Sequence, residues 1–122
     1  MLKKILIIED EEILANLLKK KLEEENYGVS LAGNGEEGIL KLKEGEFDLV
    51  LLDVVMPVKG GFEVLEEMNR DSELKKIPVI IISNSGQPVE ISRALELGVK
   101  DYLVKTQFDP KEVIEKVKKQ IG

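Results

Sequence analysis

The sequence predicts an α/β domain built on a parallel sheet with helices on both faces, and three observations carry that expectation. Short aliphatic runs alternate five times with longer stretches of helical periodicity, the pattern of repeated strand–helix units joined by right-handed crossovers. Two of those runs, Leu49-Leu52 and Val79-Ile82, are unbroken aliphatics, as strands covered on both faces must be. Four runs end by handing over polar residues: Lys3-Ile8 leads to Glu9 and Asp10, Phe47-Leu52 to Asp53, Pro78-Ile82 to Ser83, and Asp101-Val104 to Lys105. In parallel sheets ligands bind outside the carboxyl ends of the strands, so these side chains are expected to converge on one edge.

The first strand is expected at Ile5-Ile8. The stretch after it carries Ile13, Leu14, Leu17, Leu18 and Leu22, a helical apolar face, with Asp10 or Glu11 as a possible N-cap. Asn26 to Gly28 breaks that helix, and Val29-Ala32 reads as a short second strand. Gly35-Lys43 follows as a helix with Ile39, Leu40 and Leu42 apolar, and Leu49-Leu52 is the third strand. Met56 to Gly61 is a turn, after which Phe62-Met68 opens a third helix carrying Val64, Leu65 and Met68. Val79-Ile82 is the fourth strand. Pro88 suits a first helical turn, Val89-Leu97 continues it, and Gly98 stops it. Tyr102-Val104 is the fifth strand; Asp109 and Pro110 then fit the N-cap and first position of a last helix striped by Val113, Ile114, Val117 and Ile121. The first, third and fourth strands, richest in aliphatics, belong in the centre, with the second and fifth nearer the edges.

A chain of 122 residues suffices for one domain, expected over 1–122, with no repeat or interdomain linker. Its end directly after the fifth helix suits either a stand-alone module or one separated from an output domain. A net charge of −6 argues against a broad grip on nucleic acid. The lysines Lys111, Lys116, Lys118 and Lys119 alternate with acids, as on a solvated helix face. Without Cys there is no disulfide or thiolate site, and without His no Ser–His triad or phosphohistidine within this chain. Lys3-Lys4 before Ile5-Ile8 is too short an apolar stretch for a signal peptide, and no run reaches membrane-spanning length. A cytoplasmic location without membrane contact is expected.

Glu9, Asp10 and Asp53, taken alone, could be ordinary loop acids or helix caps. On two neighbouring central strands, however, two such charges repel by ~4 kcal/mol at ~4 Å and an effective dielectric near 20. That repulsion calls for a cation, and an all-oxygen donor set suits Mg2+. A divalent ion there could draw a phosphoryl donor against Asp53, whose carboxylate could act as nucleophile and become an aspartyl phosphate. Lys105 could neutralise the phosphoryl oxygens and Ser83 could donate a hydrogen bond to one.

Ile7-Ile8-Glu9-Asp10-Glu11, Leu52-Asp53-Val54-Val55-Met56-Pro57, Ile82-Ser83 and Asp101-Tyr102-Leu103-Val104-Lys105 together resemble the receiver domain of two-component response regulators, over essentially the whole chain. The resemblance implies a doubly wound, flavodoxin-like sheet of five parallel strands in order 2-1-3-4-5, flanked by five helices. It implies Asp53 as the phosphoacceptor, with Asp10, Asp53 and the Val55 carbonyl holding Mg2+ and Glu9 contributing through water. Ser83 and Lys105 would contact the phosphoryl group. Tyr102 matches an aromatic switch position, so that Ser83 moving toward the phosphate lets the ring rotate and reshapes the face built from the fourth helix, fifth strand and fifth helix. A half-buried edge-strand aromatic is the plainer alternative for Tyr102. The implied partners are a sensor histidine kinase or phosphotransfer protein and a downstream protein target, with the chain a monomer or a phosphorylation-dependent dimer through that face. It would not be an enzyme beyond its own phosphorylation and dephosphorylation.

Four positions depart from the family pattern. Val55 cannot orient an attacking water, Asn84 narrows the approach beside Ser83, Thr106 replaces the usual proline after the lysine, and Gly60-Gly61 stands where an acid or Asn usually precedes Gly. These are expected to change phosphate lifetime rather than abolish the chemistry. Gly33-Asn34-Gly35-Glu36-Glu37-Gly38 also fits the dinucleotide fingerprint G-x-G-x-x-G, which would make the chain a nucleotide-binding flavodoxin-like or Rossmann-like enzyme. It follows the second strand, and Glu36 and Glu37 would repel a pyrophosphate, so tight turning and close helix packing are the expected roles of these glycines. A haloacid-dehalogenase-type phosphatase needs a second Asp where Val55 stands. A phosphate-independent interaction domain is the remaining alternative.

Overall fold

The computed structural model describes residues 2–84, 86–106 and 109–122. Its elements run β1 (Lys4–Ile8), α1 (Glu12–Glu24), β2 (Gly28–Ala32), α2 (Gly35–Glu44), β3 (Leu49–Asp53), α3 (Gly61–Asn69), a single 3-10 turn (Leu74–Lys76), β4 (Val79–Ser83), α4 (Pro88–Glu96), β5 (Asp101–Val104) and α5 (Pro110–Ile121). The five strands are parallel and ordered β2-β1-β3-β4-β5. The three aliphatic-rich strands are central, as expected. Each βα unit lays its helix on the sheet through a right-handed crossover, which divides the helices between the two faces.

Alternation along the strands builds two cores. Ile5, Ile7, Leu49, Leu51, Ile80 and Ile82 point to one face and pack with Leu18 and Leu22 of α1 and Val113 and Val117 of α5. Leu6, Ile8, Val50, Leu52 and Ile81 point to the other, against Ile39 and Leu42 of α2, Val64, Leu65 and Met68 of α3, and Ala94 of α4. Burying each of these side chains fully contributes about 1.5–3 kcal/mol, so both faces hold the sheet.

The apolar stripe of α1 differs from the sequence expectation. Ala15, Leu18 and Leu22 are buried, whereas Ile13 is 89% exposed and Leu17 41%. The helix rests between β2 and α5, so only a narrow stripe is covered and its first turn overhangs the sheet. Leu40 of α2 and Val89 of α4 are likewise exposed. The α1 N-cap is Glu11, which makes no side-chain capping bond. At α5 the expected cap is present: the Asp109 carboxylate accepts from the Lys111 N–H at 2.6 Å, with Pro110 in the first turn.

Candidate functional site at the sheet edge

Register brings the polar residues together. Ile8 pairs with Leu52, so Glu9 lies across from Asp53; Asp53 pairs with Ile82, placing Ser83 one step beyond; Ser83 pairs with Val104, placing Lys105 one step beyond that. The Lys105 N–H donates to the Ser83 carbonyl at 2.7 Å, which extends the ladder to the site itself. Side-chain parity then sorts them. Glu9, Asp53 and Lys105 continue the rows that face α1 and α5. Ser83 and Tyr102 share the opposite parity, on the face covered by α4.

The structure gathers Glu9, Asp10 and Asp53, with one carboxylate oxygen from each lying within 4.8 Å of the others. Glu9 and Asp53 are buried and Asp10 is exposed, so the cluster opens toward solvent through Asp10. Three carboxylates at such spacing match the oxygen-only chemistry of a hard divalent cation such as Mg2+. Lys105 Nζ stands 2.8 Å from Glu9 Oε1, 3.3 Å from Asp53 Oδ2 and 2.6 Å from Glu11 Oε2. Its side chain is only 7% exposed, unlike that of an ordinary surface lysine.

These contacts perturb titration in opposite directions. Burial first, then the neighbouring Glu9 carboxylate, pushes the Asp53 carboxyl from 3.8 up to about 7, while Lys105 pulls it down. Burial alone would lower the Lys105 ammonium, but Glu11, Glu9 and Asp53 outweigh it and hold the ammonium above its usual range. The Asp53 carboxyl is thus held well above the usual carboxylate range, close to neutrality.

Ser83 is buried, and its side chain hydrogen-bonds the half-buried Tyr102 phenol. Burial raises the phenol, the bond to Ser83 lowers it, and Glu90 and Asp53 add to the rise. Tyr102, on the edge strand β5, also packs against the core cluster that includes Ala94 of α4. Within α4 only Ala94 is buried. Arg93 ties the helix to α3, pairing with Glu66 at 3.2 Å and lying 4.3 Å above the Phe62 ring.

The β3–α3 loop curls tightly beside the cluster. Gly61 N–H donates to the Val54 carbonyl at 2.8 Å, and Lys59 N–H to the Pro57 carbonyl at 2.8 Å. The second bond closes a γ-turn on Val58, whose φ of +69° is a strained conformation for a β-branched residue. The Val55 side chain is exposed. No described peptide bond is cis, so the chain passes from Lys105 to Thr106 in the trans form.

The glycine motif serves packing. A Cβ on Gly35 would sit 2.3 Å from the Lys59 carbonyl oxygen, and one on Gly38 would sit 2.4 Å from Ile8 Cδ1. The donors at the start of α2 are occupied: Glu37 N–H bonds Asn34 Oδ1 at 2.9 Å, and Gly33 N–H bonds Glu37 Oε2 at 3.0 Å, which lowers the Glu37 carboxyl. A pyrophosphate would have to displace those carboxylate and amide oxygens.

The Glu11 contact with Lys105 and the strained Val58 escaped sequence reasoning. Glu11 could be placed only as a capping candidate, because its partner lies 94 residues away. Val58 carries no local signal, since its conformation is imposed by the surrounding bonds.

Comparison with known proteins adds the family. The family model described as response regulator receiver domain matches residues 5–118. Among curated relatives, the transcriptional regulatory protein ResD of Bacillus subtilis is 40% identical over 115 residues, 94% of this chain and 46% of that protein. The alkaline phosphatase synthesis transcriptional regulatory protein PhoP of the same organism is 36% identical over 118 residues, 97% of this chain and 48% of that protein. The chain therefore spans about half the length of these relatives. Among solved structures, the chemotaxis protein CheY4 of Vibrio cholerae superposes with a TM-score of 0.92 at 25% identity, covering 99% of this chain and all of that one. The response regulator TrrA of Thermotoga maritima, solved in complex with Mg2+ and BeF, gives 0.86 at 34% identity, covering 98% of this chain and all of that one. With the sheet order, the acidic cluster and a match across nearly its full length, the chain belongs to the response regulator receiver domain family.

Proposed function

We propose that this chain is a phosphoacceptor signalling module that takes a phosphoryl group onto Asp53 with Mg2+ and so switches a partner-binding face. One observation carries the reading: a buried carboxylate at the end of β3 lies among two further acids and a buried lysine delivered by β1 and β5. Asp10, Asp53 and the Val55 carbonyl would hold the ion, with Glu9 contributing through water. When bound, the ion neutralises the acids and the phosphoryl oxygens together. An Asp53 carboxylate oxygen attacks phosphorus as the bond from phosphorus to the donor breaks. The electron pair leaves with the donor, a kinase or phosphotransfer imidazole or, from acetyl phosphate, acetate. Lys105 offsets the charge on the transferred group, and Ser83 donates a hydrogen bond to it.

Recruiting Ser83 to the phosphoryl oxygens withdraws it from the Tyr102 phenol and releases the ring. Because α4 buries so little of itself, a change at Tyr102 can shift that helix at small cost, reshaping the face formed by α4, β5 and α5. That face is the docking or dimerisation surface on this reading. The donor is a sensor histidine kinase or phosphotransfer protein in the cytoplasm, and the target is a protein. Among the described residues no helix is long and apolar enough to cross a membrane. The TrrA complex with Mg2+ and BeF supports the metal and phosphoryl assignments by likeness. Asp53 as the phosphoacceptor, Ser83, Lys105 and Tyr102 in these roles, and one domain over 1–122 are all part of the proposal.

The test is incubation with acetyl phosphate, with and without Mg2+, followed by intact-mass measurement. Wild type is expected to gain one phosphoryl group only with the metal, and Asp53→Asn none. Uptake by Asp53→Asn at the wild-type rate would refute the assignment.

A further inference from the structure

We propose that Glu11 is a positioning residue that latches Lys105 away from the phosphoryl group and thereby sets the rate at which Asp53 is phosphorylated. The inference rests on the function proposed above and adds a control built into this chain. Lys105 Nζ donates a hydrogen bond to Glu11 Oε2 at 2.6 Å. Glu9 Oε1 lies 2.8 Å from the same nitrogen, on the buried side of the site. The ammonium thus bridges the buried acid and the acid at the mouth of the site, and its shortest contact is the exposed one to Glu11.

Glu11 is free to act in this way. It occupies the N-cap position of α1 but makes no capping bond. Its backbone N–H is held by Glu9 Oε2 at 3.0 Å, which fixes its place beside the cluster while its side chain stays 53% exposed. An ammonium has three donors, and three carboxylates already surround this one. A phosphoryl oxygen arriving on Asp53 must displace one of them. Glu9 and Asp53 are buried and cannot turn to solvent, so Glu11 is the contact that opens. Each transfer then includes breaking this exposed pair, and weakening the pair speeds the transfer.

The test is a double-mutant cycle on the whole chain. Glu11→Gln keeps the shape and removes the charge, and Lys105→Met removes the partner. Uptake from acetyl phosphate with Mg2+ is followed by intact mass in wild type, both single variants and the double variant. Glu11→Gln is expected to raise the uptake rate about two- to fivefold, the range that an exposed ion pair's coupling supports. In the Lys105→Met background the same change is expected to have no effect. An equal gain in both backgrounds would mean that Glu11 acts only by repelling the anionic donor, and no gain in either would mean that it does not hold Lys105; both overturn the latch. If wild type itself takes up no phosphoryl group, the function it rests on fails, an outcome distinct from wild type and Glu11→Gln reacting at equal rates. Urea unfolding of the same four proteins supplies a readout independent of phosphorylation, in which Glu11 and Lys105 must also be coupled.

Discussion

Replacing Asp53 by Asn should stabilise this protein, and the gain should depend on pH in a way fixed by the site. The folded carboxyl titrates near 7 against 3.8 unperturbed, chiefly because it is buried beside Glu9. Between those values the folded chain binds one proton more than the unfolded chain, so wild-type stability falls as pH rises from about 4 to about 7. At 1.36 kcal/mol for each unit, the full shift corresponds to ~4 kcal/mol. Water at the open side of the cluster screens part of that field, and about 2 kcal/mol is the expected cost of the ionised carboxylate at pH 8. Asn carries no charge and escapes it. Thermal unfolding in EDTA should therefore show Asp53→Asn melting about 8 °C above wild type at pH 8, given roughly 4 °C for each kcal/mol in a domain of this size. The two proteins should converge near pH 4, where both states of wild type become protonated. A variant no more stable than wild type at pH 8, or a difference that does not change with pH, would refute the claim that Asp53 is held at a cost.

Two further substitutions probe neighbouring parts of the site. Lys105→Met leaves the buried Glu9 and Asp53 without their cation and should cost about 3–5 kcal/mol in urea unfolding without metal. Added Mg2+ should restore part of that loss, and an unchanged unfolding midpoint would contradict the electrostatic account. Val58→Gly should stabilise by about 1 kcal/mol, because relief of the φ +69° strain exceeds the entropy glycine adds to the unfolded chain. The exposed side chain gives up little burial, and a lower midpoint would show that the γ-turn does not carry this strain.

What could be read from the sequence was whatever repeats along a strand or ends one. Uninterrupted aliphatic runs marked β3 and β4 as central, and the polar residue following each run marked the site, because a parallel sheet aligns strand ends without further information. Helix faces were less legible. The spacing of Ile13, Leu14, Leu17, Leu18 and Leu22 announces an apolar surface, but burial settles on Ala15, Leu18 and Leu22 because α1 contacts only part of the sheet and α5. How much of a stripe is covered depends on neighbours distant in the chain. Glu11 shows the same limit at the site, since nothing near it in sequence announces Lys105. The strain at Val58 is a property of a closed loop, held by the bonds between Gly61 and Val54 and between Lys59 and Pro57. The order β2-β1-β3-β4-β5 came through resemblance to a family, because aliphatic richness separates central from edge strands without ordering them.

The central claim is that a carboxylate of this chain, and this one among many acids, becomes covalently bound to phosphorus. Borohydride reduction after treatment with acetyl phosphate and Mg2+ tests it most directly, because an acyl phosphate is reduced to an alcohol while free carboxylates are untouched. Peptide sequencing by mass spectrometry should then find homoserine at position 53 alone, and only in samples that held the metal. Homoserine at Asp10 or elsewhere with Asp53 intact, or no reduced residue at any position, would contradict the account.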